Sequence, residues 1–582
     1  MILCLLFHGI VIVSLLLIFS KWLDDSLLID ICFYSLIVEI VISSFNVVYI
    51  YYSDFLFILN VGCLSEYKHF LQISLVFFFD EISNIFFFLL DFALVLCFYF
   101  LVEYFEYDFN STGIILLSSL FSHMALWFFC VYDLFLLIFF WESISLISFF
   151  LIQYWSYRVP SYKAAIKVFF ISQIGDLPFF FFFFFIIYRF NTTDIAEIQS
   201  QVFILSFEYI VFVKFNVIVN SCFFLSFLAS FAVLLKSAQF FFYPWLLDAM
   251  EAPVPISAQL HSSTLVIIGF YVYFRFQNLI ILSPSMSVIF LFFGISTIVY
   301  ASVLGFYQED GKKLLACSTA SQLGYVITGL GLCYFEESVL MLIFCCCNKA
   351  ITFIWFGILM DKYSGVSDFR IIGGVSVLSW LEHIGILVSL SNFTVVPGVF
   401  SWQLKSLYLK GQYQYDFFFL KYCFDIILLT WFFGSLYFFY LYISLFLKPC
   451  RLVYRNNKSF FFNNLKKSAK VLIFHNKLLF ILITYLVLSC SLLFKFNFIK
   501  LFSSVLYKLY SSTRLLKYFI INIFWYNVFF FFLSWSFFFV LLLSFIFLLN
   551  FENYFFESIF DTSWINTFFF YYDFFFYDFY NF

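Results

Sequence analysis

The sequence has 582 residues, of which 65% are hydrophobic and 11% are charged, with a formal net charge of -4 and a mean hydropathy of +1.04. Soluble domains carry about 25% charged residues, so this composition excludes an ordinary soluble enzyme, and nothing resembles a basic nucleic-acid-binding patch. Apolar runs follow one another, and each exceeds the roughly 20 residues that cross a bilayer as a helix. The runs are continuous rather than alternating, which argues against membrane strands. The sequence predicts an all-α polytopic membrane protein in a lipid bilayer.

Cysteine and phenylalanine are both abundant. The 14 cysteines include Cys345-Cys346-Cys347 but no CxxC pair, whereas iron–sulfur and zinc sites need spaced thiolates. We therefore expect no metal and no cofactor on this chain, and we interpret the cysteines as small apolar residues. No physical role needs 102 phenylalanines. Codon drift in an AT-rich genome accounts for them and favours an organellar gene.

About 15 segments are long and apolar enough to be membrane helices. They are residues 1–20, 27–52, 80–105, 113–132, 134–153, 162–188, 215–242, 254–275, 285–306, 314–333, 338–360, 374–397, 417–447, 471–494 and 520–550. The first segment lacks the basic start and the cleavage site of a signal peptide, so we count it as a retained helix. Ser53–Lys68 is predicted as a membrane-surface loop or short hairpin, and Asn191–Glu208 as a polar connection.

Two ionisable side chains in the first half of the chain interrupt apolar segments. Glu142 lies in the middle of the segment 134–153, where an isolated carboxylate is costly and should be paired or face a polar path. Lys236 is its best partner, because a carboxylate beside a buried amine favours the charged form of that amine. This pair predicts either a site that loads and releases a proton or a static buried ion pair.

A polar, proline-broken stretch follows Lys236. Residues 235–268 carry three prolines, which cannot continue a helical hydrogen-bond ladder, together with Asp248, Glu251 and His261. Broken helices with ionisable groups at membrane depth are tolerated where protein or a water-filled cavity surrounds them. His261 can relay protons near neutral pH, although a buried histidine can equally be held by hydrogen bonds. The stretch predicts the middle of an ion path.

The second half of the chain has two further lysines and a second break. Lys349 lies in an otherwise uncharged span, where it cannot easily reach the membrane surface, so we interpret it as a second proton-carrying lysine. Lys405 follows Pro397-Gly398 and is either a third site or the end of a helix. Breaks in corresponding places of two halves predict an inverted repeat, and two ordinary proline kinks are the alternative. Asp176, Asp310 and Lys312 stand apart, and the last two open a span.

The C-terminal region is asymmetric in charge. Residues 448–477 carry eight lysines and arginines and no acid, so they should face the compartment of synthesis. The tail after Phe551 is acidic and aromatic, so we expect it to lie on a partner or at the membrane interface.

The sequence around these residues resembles a known family. Lys236-Ser237-Ala238-Gln239, the block from Pro244 to His261, Trp141-Glu142, Ile174-Gly175-Asp176 and the block from Ser318 to Tyr325 resemble, in the same order, the chain 5 family of NADH–ubiquinone oxidoreductases. These are the antiporter-like subunits at the distal end of respiratory complex I. Matching blocks run from about Phe79 to Pro449. Chain 4 and chain 2 subunits lack the Asp248 to His261 block as it stands here.

The resemblance implies a fold and a function. It implies two inverted five-helix repeats with broken helices inside about 14 core helices, and proton translocation across the mitochondrial inner membrane driven by distant ubiquinone reduction. It implies that Glu142 pairs with Lys236, and that His261 and Lys349 continue a central polar axis. FMN, iron–sulfur clusters and ubiquinone are expected on other subunits. Partners would be other membrane-arm subunits, above all the chain 4 antiporter-like subunit, accessory subunits at the distal end, and lipids.

The sequence departs from the family pattern in three places. Two histidines usually precede the second-half lysine, and Met341 and Cys345 occupy their positions, so water would have to fill that gap. The usual exit lysine is absent from Ser401-Trp402-Gln403, and we predict that Lys405, nearly one turn on, replaces it. The family continues into a long lateral helix and an anchor helix. We expect that arm to be truncated, absent or supplied by another polypeptide.

The sequence therefore predicts four regions. They are 1–110 with N-terminal helices, 111–275 and 276–447 as the two antiporter-like halves, and 448–582 with C-terminal helices, the basic loop and the acidic tail. The leading hypothesis is a proton-translocating subunit of NADH:ubiquinone reductase with no redox chemistry of its own. A subunit of an Mrp-type cation/proton antiporter, or a non-pumping structural homologue, is the alternative.

Overall fold

A computed structural model describes the greater part of the first 447 residues. The described residues are 2–20, 24–53, 57–63, 74–106, 108, 111–212, 217–363, 365–370, 372, 405, 426–427, 429–431, 433–434, 436 and 440–447. The chain divides into two compact units, Met1–Cys490 and Ser491–Phe582, and the second lies outside the described residues. The predicted spans 374–397, 471–494 and 520–550, the basic loop and the acidic tail also lie outside them.

Helices dominate the described part of the chain. They are α1 (Ile2–Phe19), α2 (Asp25–Ser53), α3 (Glu81–Tyr104), α4 (Ser111–Phe128), α5 (Leu134–Ile152), α6 (Val159–Phe190), α7 (Ile195–Leu205), α8 (Ser221–Lys236), α9 (Pro244–Asp248), α10 (Val254–Ala258), α11 (Leu265–Arg275), α12 (Gln277–Ile281), α13 (Pro284–Tyr307), α14 (Gly311–Gly331) and α15 (Phe335–Lys362). Short 3-10 turns occupy Gln153–Trp155 and Ala249–Glu251, and π-helical turns occupy Gln259–Ser263 and Ile443–Leu447.

Seven helices of the described part are long and apolar enough to cross a membrane. These spans are Asp25–Ser43, Ile82–Tyr104, Ser111–Phe128, Leu134–Trp155, Val159–Phe190, Pro284–Tyr307 and Phe335–Asp361. The all-α membrane prediction is confirmed, and each predicted segment up to residue 360 coincides with at least one helix. Two segments are not single helices. Residues 254–275 divide into α10, a π-helical turn and α11, and residues 215–242 contain a short strand, Val217–Asn220, before α8 and the break after Lys236.

Two antiparallel hairpins are exceptions to the helical pattern. β1 (Phe57–Cys63) pairs with β2 (Ser74–Phe79), and β3 (Tyr209–Phe212) pairs with β4 (Val217–Asn220). The first begins in the stretch for which a loop or hairpin was predicted. The prediction of a polar connection at Asn191–Glu208 was incomplete, since this stretch contains α7, whose first turn Asp194 caps by accepting from the Ala196 N–H.

Capping side chains set where several helices begin. Asp80 accepts a hydrogen bond from the Ser83 N–H, and the Ser83 hydroxyl accepts one from the Asp80 N–H, which forms a capping box at the start of α3. Asp133 and Asn220 cap α5 and α8, because their side-chain oxygens accept hydrogen bonds from backbone N–H groups of the first turn. Asn191 ends α6 in the left-handed conformation, with φ 56°. Polar residues in an apolar sequence thus mark the helix boundaries.

A stripe on α6 shows where much of the phenylalanine lies. The stripe consists of side chains three or four residues apart that are more than half exposed, namely Phe170, Ile174, Leu177, Phe181 and Phe184. Such spacing places them on one helix face. In a lipid bilayer an exposed apolar face needs no burial within the chain, so this stripe is consistent with a membrane environment.

Small residues bring the helices of the second half close together. A Cβ atom added at Gly294 of α13 would lie 2.6 Å from the Thr328 side chain of α14. A Cβ at Gly324 of α14 would lie 3.1 Å from the Gly294 carbonyl oxygen. Packing between membrane helices depends on this kind of close approach. α14 also contacts α15, whose membrane-length stretch is entirely buried.

The break after α8 is built from unusual backbone conformations and prolines. α8 ends at Lys236, and Ala238 and Phe241 adopt positive φ angles of 52° and 72°, which side-chain-bearing residues rarely do. Pro244 then occupies the first position of α9, where a missing N–H costs nothing. The predicted interruption of the helix is confirmed. The second predicted break, at Pro397-Gly398, lies outside the described residues, so the inverted repeat stays a prediction.

Candidate functional site

Lys236 occupies the last position of α8 with its side chain 2% exposed. Its ammonium group donates to the Trp141 carbonyl oxygen at 3.1 Å and lies 4.0 Å from the centroid of the Trp141 ring. The same nitrogen is 3.6 Å from Asp176 Oδ1. A buried ammonium group needs an opposite charge and hydrogen-bond acceptors, and this pocket supplies both together with a cation–π contact.

Asp176 is the carboxylate that contacts Lys236, and it is 1% exposed. Trp141 Nε1 donates to Asp176 Oδ1 at 2.5 Å, so one side chain orients the carboxylate while its ring covers the amine. The sequence placed Asp176 in a family motif without assigning it this contact. The structure makes it the direct partner of the first buried lysine.

Glu142 lies one step further from the lysine than predicted. The described ion pairs do not include a Glu142–Lys236 contact, although the two charges still act on each other. Gln173 Nε2 donates to Glu142 Oε2 at 3.2 Å and to Asp176 Oδ2 at 3.4 Å, so its amide bridges the two carboxylates. The contact ion pair of Lys236 is with Asp176, which projects from α6, and Glu142 interacts with the amine at longer range, so the predicted pairing of Glu142 with Lys236 stays a prediction.

Trp245 connects the end of α8 to the next part of the site. Its Nε1 donates to the Leu235 carbonyl oxygen at 3.0 Å, which satisfies a carbonyl at the end of the helix. Its ring centroid lies 6.1 Å from that of His261. The indole therefore spans the break between Lys236 and His261.

His261 lies in the π-helical turn between α10 and α11, not in a regular new helix as predicted. It is 3% exposed, and neither ring nitrogen has a hydrogen-bond partner among the described residues. π-helical turns inside helices are frequent at functional sites. Among the described residues no hydrogen bond fixes the tautomer of this imidazole, which is a group that can titrate near neutral pH.

Lys349 lies in the middle of α15 and is 2% exposed. Its ammonium group donates to Ser318 Oγ of α14 at 2.5 Å and interacts electrostatically with Cys345, Cys317 and Lys405. Cys345 is itself buried, and Met341, at the other position where the family usually has histidine, is buried as well. The described interactions of Lys349 thus include a hydroxyl group, two thiols and a second amine.

Lys405 is buried, with 3% exposure, and its ammonium group lies 5.1 Å from the centroid of the Tyr325 ring. Tyr325 in turn shares a hydrogen bond of 2.8 Å with Thr430 Oγ1. Lys405 lines a small cavity together with Ser302, Ser321 and Gln322. This buried polar setting favours a third site over a lysine that merely ends a helix. Ser401, Trp402 and Gln403 lie outside the described residues.

Asp248 of the broken stretch, and Lys312 after it in the chain, make contacts separate from those of Lys236. Asp248 forms an ion pair with Lys167 in which both side chains are more than one-third exposed. Lys312 Nζ donates to the Ala252 carbonyl oxygen at 3.1 Å. α14 begins at Gly311, next to Asp310, which agrees with the predicted helix-start position. These groups make contacts around the break, and they are not among the buried ionisable residues described above.

Metal-binding geometry does not occur in the part of the chain that the structure describes, where no group of three or more His, Cys, Asp or Glu could hold an ion. The chemistry that this site supports is proton transfer. It combines two carboxyl groups, three buried amines and one imidazole.

Comparison with known proteins places the chain in a family. The model of the family described as "NADH:quinone oxidoreductase/Mrp antiporter, TM" matches residues 131–430, which is more than half of the chain. The chain belongs to this family. The matched region contains Glu142, Asp176, Lys236, His261, Lys349 and Lys405.

Two curated proteins to which the chain is similar are named NADH-ubiquinone oxidoreductase chain 5. NADH-ubiquinone oxidoreductase chain 5 of Chondrus crispus is 31% identical over 264 residues, covering 45% of this chain and 39% of the relative. The chain 5 protein of Schizophyllum commune is 27% identical over 375 residues, covering 63% of this chain and 53% of the relative. The matching segments thus span about half or less of these relatives' length.

A solved structure supports the family's fold. The structure of the Mrp complex from Dietzia sp. DQ12-45-1b contains a chain that aligns with a TM-score of 0.64 at 20% sequence identity. The alignment covers 77% of this chain and 47% of that one. This similarity extends the shared helical architecture beyond residues 131–430.

Sequence reasoning missed a second group of buried ionisable residues outside the family match. Glu39, Asp91 and His123 are each 0% exposed and lie on α2, α3 and α4. The rule applied to Glu142, that an ionisable residue within an apolar span needs a reason, would have identified all three. Trp141 and Gln173 were missed for a different reason, because neither has a charge to mark it.

Proposed function

We propose that this chain is a membrane-arm subunit of respiratory complex I that translocates protons, coupled to NADH oxidation and ubiquinone reduction on other subunits. The observation that carries the proposal is the buried contact of Lys236 with Asp176 and Trp141. Burying an amine and a carboxylate at membrane depth costs free energy. Such residues therefore usually mark a functional path. The names of the curated relatives supply the coupling to NADH and ubiquinone.

The proton steps follow from the ionisable residues Glu142, Asp176, Lys236, His261 and Lys349. A proton binds the neutral Lys236 amine and forms an ammonium group, which Asp176 and the Trp141 ring stabilise. A change in the charge of Glu142, transmitted through Gln173 to Asp176, weakens that stabilisation and favours release. The proton then passes to His261 and onward to Lys349, with water bridging the gaps that the side chains leave.

Lys405 completes the path in this proposal. It would receive the proton from Lys349, whose charge it already influences, and release it toward the second aqueous side. A Lys405→Ala variant should lose proton translocation, and Lys405→Arg should retain the ion–aromatic contact but not the exchange, because arginine stays protonated. Normal translocation in the alanine variant would remove Lys405 from the path.

The same proposal covers location and partners. We place the chain in the mitochondrial inner membrane beside the chain 4 antiporter-like subunit, accessory subunits of the distal membrane arm, and lipids. FMN, iron–sulfur clusters and ubiquinone would be bound by other subunits. The family membership and the relatives' names support this assignment.

Two lysine substitutions test the function directly. Lys236→Ala and Lys349→Ala should each lower proton translocation and NADH-dependent turnover, while the subunit still assembles. Lys313→Ala is the matched control, since this lysine lies in a partly exposed pair with Asp310. The measurement is proton uptake per NADH oxidised in vesicles containing the complete complex. Unchanged uptake in both variants would reject the pathway.

A second candidate function is a subunit of an Mrp-type cation/proton antiporter. The structural similarity to a chain of the Dietzia Mrp complex favours it. An antiporter subunit with this fold would also contain buried ionisable residues between its helices. Affinity purification of the chain from its native membrane distinguishes the two. Flavin and iron–sulfur subunits in the purified assembly support complex I. Their absence, together with sodium-dependent proton exchange, supports the antiporter. Assembly into complex I with wild-type pumping in every lysine variant would indicate a non-pumping homologue.

A further inference from the structure

The N-terminal helices contain an ionisable cluster that the proposed proton path does not use. It consists of Glu39 on α2, Asp91 on α3 and His123 on α4, and each side chain is fully buried. All three precede residue 131, where the family match begins. The three helices pack against one another, and α1 packs against α2 and α4 beside them. We call this group the N-terminal cluster.

His123 stands at the centre of the N-terminal cluster. Its Nδ1 lies 2.8 Å from Glu39 Oε1, and its Nε2 lies 3.0 Å from Ser35 Oγ. The Ser35 hydroxyl has one hydrogen, and it donates that hydrogen to the Cys32 carbonyl oxygen at 2.7 Å. With its hydrogen placed there, Ser35 accepts a hydrogen bond from the imidazole, which is the arrangement with a proton on Nε2.

This assignment fixes what must lie between His123 and Glu39. Once Nε2 carries a proton, Nδ1 is an acceptor in the neutral ring and a donor in the imidazolium. A bare Nδ1 facing a bare carboxylate oxygen at 2.8 Å would place two acceptors in contact, which is unfavourable. One proton therefore belongs to this contact, either on Glu39 or on His123.

Asp91 strengthens the case for a bound proton. Both of its carboxyl oxygens are buried without a hydrogen-bond partner among the described residues, and its charge repels that of Glu39. Glu39 Oε2 is likewise buried without a partner there. Desolvation costs roughly several kcal/mol for each carboxylate at membrane depth. Glu39 and Asp91 therefore do not both ionise. Burial and the charge of Glu39 both raise the pKa of the Cys130 thiol, so this thiol does not offset the charge of the carboxylates.

A glycine allows the contact to form. A Cβ atom added at Gly9 of α1 would lie 2.6 Å from Glu39 Oε1 and from two atoms of the His123 ring. Glycine in a helix costs about 1 kcal/mol relative to alanine, so its position against this contact is explained by close approach. α1 thus closes the cluster on a side where a larger residue would separate the imidazole from the carboxyl group.

We propose that Glu39, Asp91 and His123 form a second proton-binding site, in which one proton moves between the Glu39 carboxyl group and His123 Nδ1 and exchanges with water. In the transfer the O–H bond of Glu39 breaks, an N–H bond forms at Nδ1, and a carboxylate–imidazolium pair replaces two neutral groups. The contact does not have full hydrogen-bond geometry as it stands, so a small rotation of either group makes or breaks the bridge.

The test is infrared spectroscopy of the assembled membrane complex, with difference spectra recorded between two pH values. The site should give a carbonyl band of a protonated, buried carboxylic acid that shifts in deuterated water. Glu39→Gln should remove this band, and Asp91→Asn should remove or displace it. Asp30→Asn is the matched control, since Asp30 is an exposed carboxylate on the same helix, and it should leave the band in place.

The outcomes are separable from those of the proposed function. No deuterium-sensitive band in the wild-type complex would overturn the site without any variant, so failure of a variant to assemble does not protect the proposal. A band that is equal in wild type and Glu39→Gln would also overturn it. Gly9→Ala keeps every titratable group and should displace the band by separating the pair. The spectra do not depend on transport, so they can succeed even if Lys236→Ala translocates protons normally.

Discussion

The two buried lysines of the family match are stabilised in different ways. Lys236 lies against a carboxylate and the face of an indole, and a glutamine links that carboxylate to Glu142. Lys349 donates to a serine hydroxyl and lies near thiols and a second lysine. Both amines are nearly inaccessible to water. A charged partner favours the ammonium form, whereas neutral partners and a like charge favour the neutral amine. The two sites therefore differ in that a described carboxylate contacts the first amine and a described hydroxyl group contacts the second.

The largest expected effect is from Asp176→Asn. Removing one member of a buried ion pair costs about 3 kcal/mol, because the remaining charge is left without compensation. We expect this loss in the free energy of unfolding, together with lost proton translocation, in the purified complex. Thermal denaturation at fixed protein concentration measures the first, and vesicle proton uptake the second. If Glu142→Gln destabilised the complex more than Asp176→Asn, Glu142 would be the direct partner of Lys236 after all.

Ser318→Ala tests the second lysine in the same way. An ordinary hydrogen bond contributes about 1 kcal/mol, so the loss should be roughly one-third of that for Asp176→Asn. Ser296→Ala is a suitable control, because its hydroxyl donates only to the Phe293 carbonyl oxygen of its own helix. A loss at Ser318 as large as that at Asp176 would mean that the two lysines are held equally.

Trp141→Phe separates the two contributions of the indole. The phenylalanine ring keeps an aromatic face over Lys236 but cannot donate to Asp176. We expect a loss of about 1 kcal/mol in stability, typical of one hydrogen bond. Comparison with Trp141→Leu, which removes the ring as well, isolates the cation–π contribution. Equal losses in the two variants would show that the ring face adds nothing.

Glu142→Gln should have the smallest effect on stability and a clear effect on transport. The substituted amide still offers an oxygen to Gln173, and Glu142 is only partly buried, so the cost should be about 0.5 kcal/mol. Proton uptake should nevertheless fall, since the charge that acts on Lys236 is gone. A variant with wild-type uptake would show that the Gln173 bridge carries no signal.

Much of the helical framework could be predicted because a bilayer imposes it. Apolar length predicted the spans, since every backbone group in lipid must find its partner within a helix. The prolines after Lys236 predicted the break. The cost of placing a charge in an apolar segment identified Lys236 and Lys349 as buried, whereas the same rule was not applied to the N-terminal cluster. The π-helical turn at His261 could not be predicted, because its sequence is compatible with a regular helix.

Pairing between distant residues was the part that sequence could not supply. Glu142 and Asp176 are both acidic and both precede Lys236, and only the relative rotation of α5 and α6 brings Asp176 to the amine. The N-terminal cluster likewise joins three helices whose acidic and histidine positions lie up to 84 residues apart, from Glu39 to His123.

The sequence by itself determined that this is a helical membrane protein with buried amines and one broken helix, because hydrophobic length, charge and proline act locally along the chain. The tertiary structure alone decided which carboxylate neutralises Lys236 and that Glu39 shares a proton with His123. Those contacts depend on how helices rotate and approach, and small differences in packing at residues such as Gly9 and Trp141 settle them.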